Sequence, residues 1–66
     1  MITNEDNVLI CPLCGSEYTH FIKWKKYYGK DGRLCVKLLF FCEEGHDFCI
    51  DFKQHEGFTI VSEEAV

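Results

Sequence analysis

Apolar and polar residues alternate along most of this chain. Aromatic and β-branched residues recur with period two in "YTHFIKWKKYY" (18–28), "LCVKLLFF" (34–41) and "DFCIDF" (47–52), and a short run, "FTIV" (58–61), offers a further edge strand. A period of two sends successive side chains to opposite faces of a sheet, so these runs predict strands. No stretch sustains a 3.6-residue period with caps. The breaks are turn-like: "YGKDGR" places Gly29 and Asp31-Gly32 where a hairpin tolerates positive φ, and "QHEGF" supplies another Gly turn. The pattern predicts a small all-β fold, an antiparallel sheet of three strands with room for a fourth, and two tight loops at its cysteine-bearing end.

Alternation also assigns faces. On the first strand it sets Tyr18, His20, Ile22 and Trp24 on one side and Thr19, Phe21, Lys23 and Lys25 on the other. "LLFF" is apolar on both sides, so one face needs a cover, from "VLI" near the start or from "FTIV". Further along, Phe48, Ile50 and Phe52 are expected to face the core, with Cys49, Asp51 and Lys53 on the opposite side. Residues 8–61 make one domain between two polar ends, 1–7 and 62–66, that are expected to be flexible.

A chain of 66 residues buries only roughly 60% of the surface its unfolded form exposes, so a staple is expected. Five cysteines could supply one as disulfides or as metal ligands. The start, "MITNEDNVLI", has neither the basic nor the apolar region of a secretion signal, and no later run has the length of a membrane span. A soluble cytoplasmic protein with reduced thiols is expected, and the odd cysteine count agrees.

"CPLCG" (11–15) is the strongest chemical signal. Two thiolates two residues apart reach one ion from a tight turn that Pro12 stiffens, and Gly15 supplies the backbone freedom beside the second thiolate. A redox pair would instead precede a helix, whereas "SEYTHFIKW" continues as strand. "CEEGH" adds Cys42 and His46. Cys35 lies seven residues before Cys42 on one strand, some 23 Å away at about 3.3 Å per residue, and is excluded. The expected set is Cys11, Cys14, Cys42 and His46, with Cys49 in place of His46 as the alternative. Three thiolates and an imidazole suit a single structural Zn2+ in a closed tetrahedral site; iron in a rubredoxin-like site is the runner-up and wants Cys49 as fourth thiolate. An acid among Glu43, Glu44 and Asp47 is a candidate to accept the free imidazole N–H.

"CPLCG", a hairpin and then "FFCEEGHDF" resemble a zinc ribbon, in which two knuckles at strand ends hold one zinc. The second knuckle is also similar to the zinc-binding head of bacterial ribosomal RNA guanine methyltransferases. The rest of such an enzyme has no counterpart in these residues, so the resemblance implies fold and metal, not that activity. A histidine as last ligand departs from the four-cysteine ribbon.

Charge then suggests a working surface. The formal net charge is -4, yet Lys23, Lys25, Lys26, Lys30, Arg33 and Lys37 crowd between positions 23 and 37 against Asp31 alone, which gives that segment +5 and the remainder -9. Lys23, Trp24, Lys25, Lys26, Tyr27, Tyr28, Lys30 and Arg33 form a basic, aromatic hairpin. It suits an acidic protein partner, or single-stranded nucleic acid, with cations for phosphates and rings for bases. The plainer alternative is a packed hairpin whose lysines discourage edge pairing. His20 is expected to be partly buried and His55 exposed. No nucleophile-base set, phosphate loop, small-molecule site or membrane segment is present, so the chain is expected to be a non-enzymatic adaptor, and its apolar content makes a homodimer a further expectation.

Overall fold

Strands form where the aromatic and β-branched runs fall, and polar residues extend two of them. In a computed structural model that describes residues 2–65, the strands are β1 (Thr19–Tyr28), β2 (Leu34–Cys42), β3 (Asp47–His55) and β4 (Phe58–Ala65). They make one antiparallel sheet in the spatial order β1-β2-β3-β4, so the fourth strand is present. No helix occurs among the described residues. Met1 and Val66, the outermost residues of the two expected ends, lie outside the described residues.

Glu56 (φ 49°) and Gly57 (φ 86°) both take left-handed backbone between His55 and Phe58, which pair directly. That is the geometry of a two-residue hairpin turn whose twist matches the flanking strands. The turn fixes a register that runs past the apolar residues. Lys53, Gln54 and His55 are paired with β4, and Ser62–Ala65, expected to lie in the tail, are paired with β3. The hydrophobic pattern ended at Val61 because ladder bonds use the backbone and need no apolar side chain.

β1 corrects a second expectation. Phe21 sits opposite Phe40 and Lys23 opposite Leu39, which leaves Ile22 as the extra residue of a bulge. Directly opposed residues share a face. Trp24, opposite Leu38, therefore joins Phe21, and Lys23 joins His20, which reverses strict alternation beyond Ile22. One face of the sheet is aromatic, with Phe21, Trp24 and Tyr28 on β1, Phe40 on β2 and Phe48, Ile50 and Phe52 on β3. The other carries Lys23, Lys25, Tyr27, Lys37, Asp51 and Lys53. His20 is exposed rather than partly buried, because it lies on an edge strand with its ring stacked on Phe41 at 4.9 Å and Nε2 3.3 Å from Glu43 Oε1.

The core sits on the aromatic face at one end. Cys11, Cys42, Phe48 and Ile50 are buried together, Phe40 stacks on Phe48 at 5.5 Å, and Ile2, Leu9 and Phe52 pack against them. Ile2 and Leu9 arrive on a small N-terminal hairpin. Thr3 bridges Leu9, Ile10 N–H donates to Ile2 C=O at 2.9 Å, and Asn4 Oδ1 accepts from the N–H groups of Asp6 and Val8. Ile2 thus belongs to the cover, and residues 3–7 form the polar turn that carries it. The Asn4 side chain supplies turn bonds that hydropathy does not register.

Asp51, on the side opposite the core, is nonetheless 1% exposed. Tyr27 Oη lies 2.7 Å from both carboxylate oxygens, and Lys53 Nζ 3.9 Å from one of them. The bond to Asp51, then burial, raises the Tyr27 phenol above its ordinary 10.0. The phenol's contribution to stability is therefore fully present below that ordinary value and lost only as pH rises past the folded one.

Phe48→Ala, at a side chain with no exposed surface, is expected to cost about 3–5 kcal/mol in urea unfolding of the metal-loaded protein. Tyr27→Phe, which strips a buried carboxylate of its donor, should lower the urea midpoint more than Asp51→Asn, which keeps an acceptor and removes the buried charge. The reverse order would contradict the role given to this pair.

Candidate metal centre

Two turns, remote in sequence, present the cluster. The first precedes β1: Gly15 N–H donates to Cys11 C=O at 2.8 Å, Cys11 N–H to Ser16 C=O at 3.0 Å, and Leu13 N–H to Cys11 Sγ at 3.4 Å. The second joins β2 to β3. Gly45 N–H donates to Cys42 C=O at 3.0 Å and Cys42 N–H to His46 C=O at 2.9 Å. Gly45 has φ 91°, a conformation that strains any residue with a Cβ, and it brings His46 back over Cys42. Glu43 N–H donates to Tyr18 C=O at 3.1 Å, tying the second turn to the chain that leaves the first.

Cys11, Cys14 and Cys42 Sγ and a His46 ring nitrogen all lie within 4.8 Å of one another, close enough to hold one metal ion. Cys14 Sγ is 3.8 Å from Cys42 Sγ, which is 3.4 Å from His46 Nδ1. Cys11 and Cys42 are buried, His46 half-buried and Cys14 exposed, so the cluster opens to solvent on one side. At Cys42, burial works against the thiolate, but the His46 amide, the His46 ring and the Glu44 amide outweigh it and bring the thiol down to about 7. At Cys14 the Ser16 backbone favours the thiolate, yet burial and the neighbouring thiols prevail and raise it. One cysteine is thus readied to lose its proton, while the crowding of sulfurs resists a second loss until a cation enters.

Cys49 is not in this group. It pairs with Leu39 inside β3 and belongs to the opposite face from Cys42. Cys35 lies near the far end of β2, opposite Tyr27, and its thiol donates to Arg33 C=O at 3.6 Å. The acids near His46 make no hydrogen bond to its ring among the described residues, and Glu43 meets His20 instead.

The basic hairpin is divided. Trp24, Lys26 and Tyr28 lie on the aromatic face, Lys23, Lys25 and Tyr27 on the other, and Lys30 and Arg33 in the connecting turn, where Arg33 Nε is 3.3 Å from Asp31 Oδ2. Tyr27 is committed to Asp51 and has Lys37 Nζ 5.9 Å from its ring centre. Sequence reasoning missed the Tyr27–Asp51 pair. The available signal was an acid set inside "FCIDF", a run otherwise apolar.

No protein-family model, curated protein or solved structure matches the chain. No helix among the described residues is long and apolar enough to cross a membrane.

Metal bound per chain is expected to survive Cys49→Ala and to be abolished by Cys42→Ala, with His46→Ala weakening it. Elemental analysis of the purified variants, with circular dichroism to check folding, makes the comparison. Loss with Cys49→Ala and retention with His46→Ala would reassign the fourth ligand.

Proposed function

We propose that this chain is a zinc-ribbon-like binding module, in which a structural zinc fixes the sheet and the β1–β2 hairpin docks a partner protein with an acidic surface. The donor set supports zinc. Two thiolates at about 2.3 Å from a tetrahedral ion stand roughly 3.7 Å apart, and the 3.8 Å between Cys14 and Cys42 Sγ fits that spacing without rearrangement. Four protein ligands close the coordination shell, which suits a structural ion better than a catalytic one. The ion would hold the two turns together while Gly15 and Gly45 shape them.

The observation that carries the docking role is exposure. Phe21, Trp24 and Tyr28 are 54%, 59% and 68% exposed on one face, beyond the reach of the N-terminal cover, with Lys26 beside them. Large aromatics left in water beside unpaired cations mark an interaction surface. A second reading, single-stranded nucleic acid, is favoured by the same rings sharing a face as a stacking platform. The charge of -9 outside the hairpin favours the protein.

The single tryptophan is the probe. An acidic partner captured on the metal-loaded protein in the presence of nuclease is expected to shift Trp24 emission and to lose affinity for Tyr28→Ala, while a single-stranded oligonucleotide leaves the emission unchanged. A shift with the oligonucleotide that falls steeply with salt would establish the second reading instead.

A further inference from the structure

The two outer edges of the sheet carry opposite charge. β1 and β4 each pair on one side only, and no backbone hydrogen bond from Thr19–Tyr28 or Phe58–Ala65 reaches another segment among the described residues beyond the ladder itself. The β1 edge holds Lys23, Lys25 and Lys26, and the β4 edge holds Glu63 and Glu64. Open edges are templates for another strand. Pairing β1 with β1 would set lysines against lysines, and β4 with β4 glutamates against glutamates, both unfavourable across a ladder.

We propose that copies of this chain associate head to tail, the β4 edge of one on the β1 edge of the next. The strand directions allow it. In the order β1-β2-β3-β4 every neighbour is antiparallel, so a second copy added beyond β4 in the same orientation presents an antiparallel β1 with its aromatic face on the same side.

The side chains select a register. Setting Lys25 opposite Glu64 also sets Trp24 opposite Ala65, Lys26 opposite Glu63, Tyr27 opposite Ser62 and Tyr28 opposite Val61. Each pair joins residues of the same face: Trp24, Lys26 and Tyr28 meet Ala65, Glu63 and Val61 on the aromatic face, while Lys25 and Tyr27 meet Glu64 and Ser62 on the other. Two opposite-charge pairs and an aromatic–β-branched pair fall into one alignment. The alignment ends where β1 bulges at Ile22 and where the β1–β2 turn begins at Gly29.

Lys25, Lys26 and Glu64 are available. Neither Lys25 nor Lys26 has an acidic partner among the described residues. Glu64 is 52% exposed, and its contact with Lys37 is long, at 4.0 Å. Glu63 already has an interaction in its own chain and enters the joint as a nearby negative charge.

Such a joint is heterologous, so each added copy leaves one β1 and one β4 edge open until the array closes into a ring, and growth past two copies is expected. The aromatic faces of successive copies would stay uncovered and continuous. Association would therefore leave the rings of Phe21, Trp24 and Tyr28 facing outward on that side, with Lys26 drawn into the joint.

Sedimentation of the metal-loaded full chain over a range of concentration and salt tests the proposal. The average mass is expected to rise past the dimer at low salt and to fall back toward the monomer as salt screens the edges. Lys25→Glu alone and Glu64→Lys alone should each weaken association about tenfold or more. An equimolar mixture of the two, and the chain carrying both changes, should recover it. A monomer at every concentration, a mass that stops at the dimer, or no recovery on mixing overturns the proposal. Metal content and circular dichroism of each variant confirm that the fold is intact. The readout does not involve Trp24, so its failure is separate from failure of the docking reading.

Discussion

Cys42 belongs at once to the ladder, the core and the cluster, and the molecule is organised around the meeting of those three demands. As the last residue of β2 it pairs with Thr19; as a core residue it is 1% exposed beside Phe48; as a donor it stands 3.8 Å from Cys14 and 3.4 Å from His46. Its amide and carbonyl are both used within the second turn. A thiol so placed can be served by a metal without moving any strand. The physical constraint is that a chain this short has little core to spend on closing two loops, and a shared ion would close them by coordination instead.

From that end the sheet becomes less protected with distance. Near the cluster the N-terminal hairpin lays Ile2 and Leu9 over Phe48 and Ile50. Away from it the aromatic face of β1 is open, and the reverse face is held by the Tyr27–Asp51 pair, with Lys53 Nζ near the carboxylate and Lys37 Nζ over the Tyr27 ring. One end of the sheet is covered and the other is exposed and charged. In that arrangement the edge lysines act selectively: they oppose pairing with their own kind and permit it with glutamates.

The parts of this architecture that rest on side-chain periodicity were legible in the sequence. Period two placed three strands, a short apolar run offered the fourth, and the spacings in "CPLCG" and "CEEGH" named the four donors that the structure brings together. What escaped was set by backbone geometry or by single polar side chains. The Ile22 bulge adds one residue without disturbing composition, yet it exchanges the faces of Lys23 and Trp24. The Asn4 turn and the polar extension of β3 and β4 are held by main-chain bonds that hydropathy does not report. Alternation sets Asp51 opposite the core residues without marking it as buried, and only the tertiary position of Tyr27 reveals why an acid is buried there.

The central claim is that one ion is held by three sulfurs and one imidazole nitrogen contributed by both turns. X-ray absorption at the metal edge of the purified, metal-loaded protein tests it directly. The account expects zinc with three sulfur neighbours at about 2.3 Å and one nitrogen at about 2.0 Å. Four sulfurs, which would bring in a cysteine from outside the cluster, or a shell dominated by oxygen, would contradict it.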